Sequence, residues 1–275
     1  MKKYVLKPLK LLAFLTLFTL AEFLAQPIVQ LSADIINNDY LTDLIKIILE
    51  TLAAVLIVKV FLWKKSFREI GLYLKVNKNI LYMAIGGLIS GLAGILIILA
   101  AGGFTFDRFI WNKLFLEDII PALIMGILHS MGIAITEGIV IRGYVYKLLD
   151  LKNIYLGVIL ASLVYVLINI LNILTLGFNI LPILGYFLFT VLLSLIFILT
   201  GNLMYSIVFH GAWYFANMYI FSPLSAQTYG VIMLNPTDKI LLNGGEFGIM
   251  GSAVFILIMF IADILLFVKI KGKKN

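Results

Sequence analysis

The stretch TEGIVIRGYVY, Thr136 to Tyr146, sets a carboxylate, Glu137, and a guanidinium, Arg142, into sequence that is otherwise apolar. Tyr165, Asn169 and Asn172 follow at i, i+4 and i+7, the spacing of one helical face. His210, Tyr214 and Asn217 repeat that spacing further on, and His129 stands two turns before Thr136 and Glu137. These types are fit for acid–base and hydrogen-bonding chemistry. The economical arrangement turns the three polar stripes toward one another around a shared interior, because stripes facing lipid would leave their groups unpaired. Interhelical hydrogen bonds alone, worth about 0.6 kcal/mol each, account for the Asn and Tyr residues. Glu137 and His210 are dearer to bury and point to a functional cavity.

The elements that must carry these residues are membrane helices. Of the 275 residues 63% are hydrophobic and 13% charged, where soluble domains are about half apolar and a quarter charged. The mean hydropathy is +1.10. A helix crosses a bilayer with roughly 20 apolar residues. That length predicts an all-α polytopic membrane protein of about eight transmembrane helices, near 11–32, 44–63, 79–101, 118–146, 154–175, 180–200, 203–221 and 248–270. The N-terminal run also has the look of a signal peptide, but it continues past signal length, and a retained first span is expected. Continuous runs exclude a barrel. The chain has no cysteine, which excludes disulfides and thiolate-bound metals.

The net charge of +7 does not point to nucleic acid, because the basic residues sit between apolar runs. Lys2, Lys3, Lys7 and Lys10, then Lys64 to Lys78, then Lys147 and Lys152, then Lys269 to Lys274 all fall on one side if there are eight spans. The positive-inside rule makes that side cytoplasmic, with both termini there, in the cell membrane. The loop 222–247 holds Pro223, Pro236 and the pair Gly244–Gly245, and is expected outside as a connector, or else as a lid. Small residues at near-helical spacing in MAIGGLISGLAGILIILAAGG predict close helix contact. An ionisable group at mid-bilayer costs about 2.5–3.5 kcal/mol or more. Glu22, Glu50 and Asp263 lie in spans without a stripe, so structural pairing or an interfacial position is expected for each.

The stretch EGIVIRGYVY resembles the first signature, E-E-x-x-x-R, of the membrane family of type II CAAX prenyl proteases and bacteriocin-processing or immunity proteins, the CPBP or Abi family. YVLINILN is similar to its second, F-x-x-x-H, and HGAWYFAN to its third, H-x-x-x-N. LLNGGEFGIMGS resembles the Gly-rich stretch before the last helix of many members. The likeness divides the chain into an N-terminal part, 1–115, with three transmembrane helices, and a CPBP/Abi-like core, 116–275, with helices four to eight. In active members, the resemblance implies, a Glu and a His activate a water or hold a metal that does so, while a second His and an Asn polarise the substrate carbonyl. The matching positions here are Glu137, Arg142, Asn169, His210 and Tyr214 as catalytic candidates, with Tyr165, Asn172, Asn217 and His129 as binding candidates. The second Glu is Gly138, the motif His is Asn169 and the motif Asn is Tyr214. Asn169 has no proton to exchange near neutral pH.

His129 lies eight residues before Glu137, roughly 12 Å along a helix, so it does not replace the missing imidazole. Zinc takes three or four protein ligands, and Glu137 with His210 is a poor set. No metal or other cofactor is expected, and zinc belongs only to a protease reading. The favoured function is a non-cleaving or weakly active homologue that binds a peptide or membrane-protein partner in a polar intramembrane cavity, for bacteriocin immunity or envelope scaffolding. An active intramembrane endopeptidase is the alternative. A transporter-like subunit is less favoured, because no internal repeat is present.

Overall fold

The structure is a computed structural model and describes residues 2–36, 39–74, 77–109, 115–151, 153–222 and 230–272. Ten α-helices dominate it: α1 (Lys2–Ile36), α2 (Asp39–Leu62), α3 (Lys78–Ala100), α4 (Phe115–Glu137), α5 (Tyr146–Leu149), α6 (Ile154–Thr175), α7 (Ile180–Thr200), α8 (Leu203–Phe215), α9 (Ile240–Asn243) and α10 (Ala253–Gly272). Four of the long helices start at an asparagine. Asn77, Asn153, Asn179 and Asn202 each accept a hydrogen bond from a first-turn N–H that the helix itself leaves free.

Among the described residues, six helical stretches are long and apolar enough to cross a membrane, where the apolar runs suggest eight spans. The second and seventh runs fall short for physical reasons. α2 carries Asp39, Asp43, Lys46, Glu50 and Lys59, and α8 has only 13 residues and bears the His210–Tyr214 stripe. The crossing stretches turn large apolar side chains outward, among them Leu24, Leu167, Leu171 and Leu265. Lipid is the solvent that makes such a perimeter stable.

The helices do not account for the whole fold. Phe104–Phe109 (β1), Phe221–Ser222 (β2) and Ile232–Pro236 (β3) form a small sheet in the order β1-β3-β2. The pairing of β1 with β3 is antiparallel and that of β2 with β3 parallel. The chain is mostly helical, as the apolar runs predict, and this small sheet is the addition to it. Two segments with too few residues to cross the membrane satisfy their backbone groups by pairing across 130 positions of sequence. Thr237 and Asn243 tie this cap to the end of α3 by donating to the carbonyl of Gly103. The segment expected as a plain connector therefore holds β3, α9 and a 3-10 turn, Gly245–Gly251; Pro223 lies outside the described residues.

The opposite end gathers the basic clusters. Lys7 bridges to Asp150 at 3.1 Å, and Lys147 to Glu69 at 2.7 Å. Phe267, near the end of α10, meets the ring of Tyr155 at the start of α6. Lys147 holds the exposed Glu69 carboxyl below the usual carboxylate range, by its hydrogen bond first and its charge second. Between the two ends, α3 lies along α8. A Cβ on Gly87 would fall 2.2 Å from the Phe209 carbonyl oxygen, and one on Gly91 2.7 Å from the Ala216 Cβ. The small residues of α3 are therefore what bring α8, and His210 with it, against the bundle.

Candidate functional site

After Glu137 the α4 helix widens into a π-helical stretch, Gly138–Val145, all eight residues of which are buried. In an α-helix, residues five apart diverge by about 140°. A π-helix, bonded i→i+5, has more residues in each turn, so that divergence shrinks. The π turn thus brings Arg142 onto the Glu137 side. Arg142 is 1% exposed and does not reach the interface. Its Nη2 lies 3.4 Å from the Ala134 carbonyl oxygen and 3.5 Å from His210 Nδ1, while its Nε has no partner.

His210 comes from α8 and is 2% exposed. Its Nδ1 stands 3.9 Å from Glu137 Oε2, outside hydrogen-bond range. A guanidinium only donates, so Nδ1 accepts from Arg142 and the ring proton sits on Nε2. The Tyr165 hydroxyl, from α6, donates to Glu137 Oε1 at 2.9 Å. Glu137 keeps 25% of its side-chain surface accessible, and that surface faces two cavities.

The larger cavity, about 350 Å³, is lined by Glu137, Tyr165, Asn169, His210, Tyr214 and Asn217, with Tyr186 and Trp213 beside them. Glu246 to Met250, from the Gly-rich 3-10 turn, form another part of its wall. The smaller cavity, about 180 Å³, shares Ile133, Glu137, Tyr165 and Asn169 with the first. Its wall includes Thr136 and, from α2, Glu50. Three helices, α4, α6 and α8, thus present their stripes to one interior.

Several candidates sit otherwise than the spacing suggests. Asn169 donates its amide to the Tyr165 carbonyl of its own helix at 3.0 Å. Asn217 likewise donates to the Trp213 carbonyl at 2.7 Å. His129 lines neither cavity; its Nδ1 hydrogen-bonds to the Tyr219 hydroxyl. The Asn172 side chain lies outside the described residues, as does that of Glu22. Glu50, expected to be structural or interfacial, lines the smaller cavity. Asp263 is 7% exposed, with no hydrogen-bond partner for either carboxylate oxygen, so the pairing expected for it is not formed. Asp39, Asp43, Lys46 and Glu50 stand at i, i+4, i+7 and i+11 on one face of α2, and that spacing is the signal in the sequence that points to Glu50.

Gly138, where the family motif has its second Glu, is held by contact. A Cβ there would stand 2.5 Å from Ile207 Cγ1 on α8. The site that would carry a second carboxylate is therefore filled by a neighbouring helix.

Residues 118–216 match the family model described as type II CAAX prenyl endopeptidase Rce1-like. The chain carries a domain of this CPBP family. The CPBP domain runs from the start of α4 through α8 and contains Glu137, Arg142, Tyr165, Asn169, His210 and Tyr214. Neither a curated protein nor a solved structure matches the chain. A zinc ion does not fit the residues of the CPBP domain's cavity. Glu137 and His210 offer two donors, the Asn169 amide is turned to its own backbone, and no three His, Cys, Asp or Glu side chains converge among the described residues.

Proposed function

We propose that this CPBP-family membrane protein binds a peptide or a membrane-protein segment in the cavity around Glu137 without cutting it. The observation that carries the reading is the commitment of the catalytic-position groups to one another. His210 Nδ1 is engaged by Arg142, the Asn169 amide by its own helix, and no second imidazole lines the cavity among the described residues. A hydrolytic site needs a base on a water and donors free to meet the developing oxyanion. Here Glu137 accepts from Tyr165, and no imidazole nitrogen is within hydrogen-bond range to share a water's proton with it, while the Tyr214 hydroxyl and the His210 ring remain as partners for a bound carbonyl. Those groups suffice to hold an extended chain. Bacteriocin immunity or scaffolding of an envelope protein are the roles of this kind that the family offers.

In this reading α2 and α8 also lie within the bilayer, giving about eight membrane segments. α8 is sheathed by α3, α4 and α7, and α2 packs on α1 and α4. The end that collects Lys7, Lys147 and Lys271 faces the cytoplasm with both termini, and the β1-β3-β2 cap faces outward, in the cell membrane. Residues 1–115 brace the domain that begins near 116.

The second reading, a working endopeptidase, draws on one observation, the 3.9 Å approach of Glu137 to His210. A photo-crosslinking residue at Tyr214 of the full chain, in native membranes, tests the first. The expected product is an adduct with an intact peptide, absent when the crosslinker stands at lipid-facing Leu265. Adducts made only of cleaved fragments, or none above the Leu265 control, would contradict it.

A further inference from the structure

The perimeter of the bundle carries a groove that the site around Glu137 does not use. It lies between α1 and α2 and measures about 290 Å³. Leu17, Leu20 and Leu24 wall it from one helix, and Leu56, Val60 and Phe61 from the other. Every residue of the wall is apolar, and its leucines and Val60 are each 46% exposed or more. Lipid tails are as apolar as leucine, so a hydrocarbon chain suits this wall.

One end of the groove is cationic. The Phe14 ring of α1 meets that of Phe61, near the end of α2, at 5.3 Å. Lys10, one turn or about 6 Å beyond Phe14, therefore stands level with the turn that follows α2. It precedes Leu17 by two turns and so lies on the groove's own stripe. On α2, Lys59 is next to Val60, and its Nζ donates to the Lys65 carbonyl at 3.0 Å, which draws that ammonium to the same turn. Lys64 is exposed there. Among the described residues, none of Lys10, Lys59 and Lys64 has a carboxylate in ion-pair range. The acids of this end are engaged elsewhere, Asp150 by Lys7 and Glu69 by Lys147, with the charge of Lys65 also acting on Glu69. Trp63, 74% exposed beside these lysines, is the residue type that marks headgroup level.

We propose that the groove and its cationic end hold one anionic diacyl phospholipid, with an acyl chain between α1 and α2 and the phosphodiester among Lys10, Lys59 and Lys64. Charge decides the occupant. A second copy of the chain would fill the apolar wall equally well, but it would leave three ammonium groups without a counter-charge. A phosphodiester at headgroup depth gives each an acceptor, as in other basic pockets between membrane helices. Because α2 packs on α4, the helix that carries Glu137, a lipid seated here also steadies one wall of the site by mass action. The inference takes the placement of α2 in the bilayer from the reading above and nothing from its peptide cavity.

The test uses the full chain purified in a neutral detergent, with native mass spectrometry counting the lipids it retains. The probes are dioleoyl phosphatidylglycerol, dioleoyl phosphatidylcholine, and sn-glycerol 3-phosphate as a chain-free competitor. One phosphatidylglycerol is expected to stay bound, roughly tenfold tighter than phosphatidylcholine, with the preference shrinking as salt is raised. The triple variant Lys10→Gln, Lys59→Gln, Lys64→Gln should lose that preference, and Lys269→Gln with Lys271→Gln, which removes charge elsewhere, should keep it. Leu20→Trp, which fills the groove, should weaken both lipids. Equal retention of the two lipids, or a preference that survives the triple variant or falls as far in the Lys269/Lys271 variant, overturns the inference and leaves the peptide-binding reading standing. Displacement by equimolar sn-glycerol 3-phosphate assigns the lysines to a soluble phosphate and overturns the lipid. A lipid-free dimer that Leu20→Trp dissociates gives the groove to a second copy and overturns it too.

Discussion

At the scale of single residues, the site is a half-buried carboxylate with a small set of partners, and each partner has a separable effect. Removing the Tyr165 hydroxyl leaves Glu137 short of its one phenolic donor. Leaving a buried polar group unsatisfied costs about 1–3 kcal/mol. Tyr165→Phe is therefore expected to lower thermal stability in detergent by that order, and Tyr165→Phe combined with Glu137→Gln to lower it by less than the sum, since both changes touch one bond. Gly138 gives a second residue-level prediction. Gly138→Glu restores the family's second carboxylate on paper, but the new side chain meets Ile207 at once. The variant is expected to lose about 1–3 kcal/mol from overpacking and to show no peptidase activity, with Ile207→Ala recovering part of the stability. Differential scanning of the purified variants reads both. The stripes Tyr165–Asn169 and His210–Tyr214 were legible as residues because 3.6-residue spacing is a local property. The turning of Asn169 onto its own backbone was not, because spacing says which face a side chain is on and nothing about which acceptor it chooses.

At the scale of elements, the helix limits followed the apolar runs closely: α6 and α7 span the residues the runs mark, and α3 differs by one at each end. Continuous hydropathy and asparagine caps are both written in local sequence. The π turn after Glu137 was not legible, since its cause is tertiary: eight buried residues wedged against neighbouring helices. Nor was the β1-β3-β2 cap, which depends on pairing between Phe104 and Pro236, far apart in the chain. The contact between α3 and α8 was foreseen as small-residue contact without its partner. Gly87→Val is expected to push α8 outward and to reduce stability by about 1–3 kcal/mol, whereas the same change at Gly177, which has open space around it, strains only the backbone. At the basic end, Glu69 is joined to Lys147. A carboxyl held below its usual range stabilises the fold above the unfolded-state pKa, and loses that contribution as pH falls through its folded value. The pair is exposed and screened, so the effect is local. Amide exchange of 67–72, corrected for intrinsic rate, is expected to speed up as pH is lowered below the ordinary carboxylate range, and Glu69→Gln should abolish that dependence.

At the scale of the whole molecule, the account is of a bundle with a charged end, a capped end and a polar interior between them. The gathering of Lys7, Lys147 and Phe267's neighbour Lys271 at one end follows from helices that cross and return, and the charge bias alone pointed to it. The chain has no native cysteine, so single cysteines report sidedness cleanly. Lys10→Cys and Lys269→Cys are expected to react with a membrane-impermeant maleimide only from the cytoplasmic face, and Asp107→Cys only from the opposite one. The central claim is that the acid and imidazole of the interior hold a chain and leave it whole. Its most direct measurement is turnover of a prenylated, membrane-inserted peptide by the full chain in liposomes, followed by mass spectrometry beside the Glu137→Gln variant. The account predicts that peptide is retained uncut, with no difference in product between the two proteins. Cleavage by the unaltered chain that disappears in Glu137→Gln, with both proteins equally folded, would contradict it.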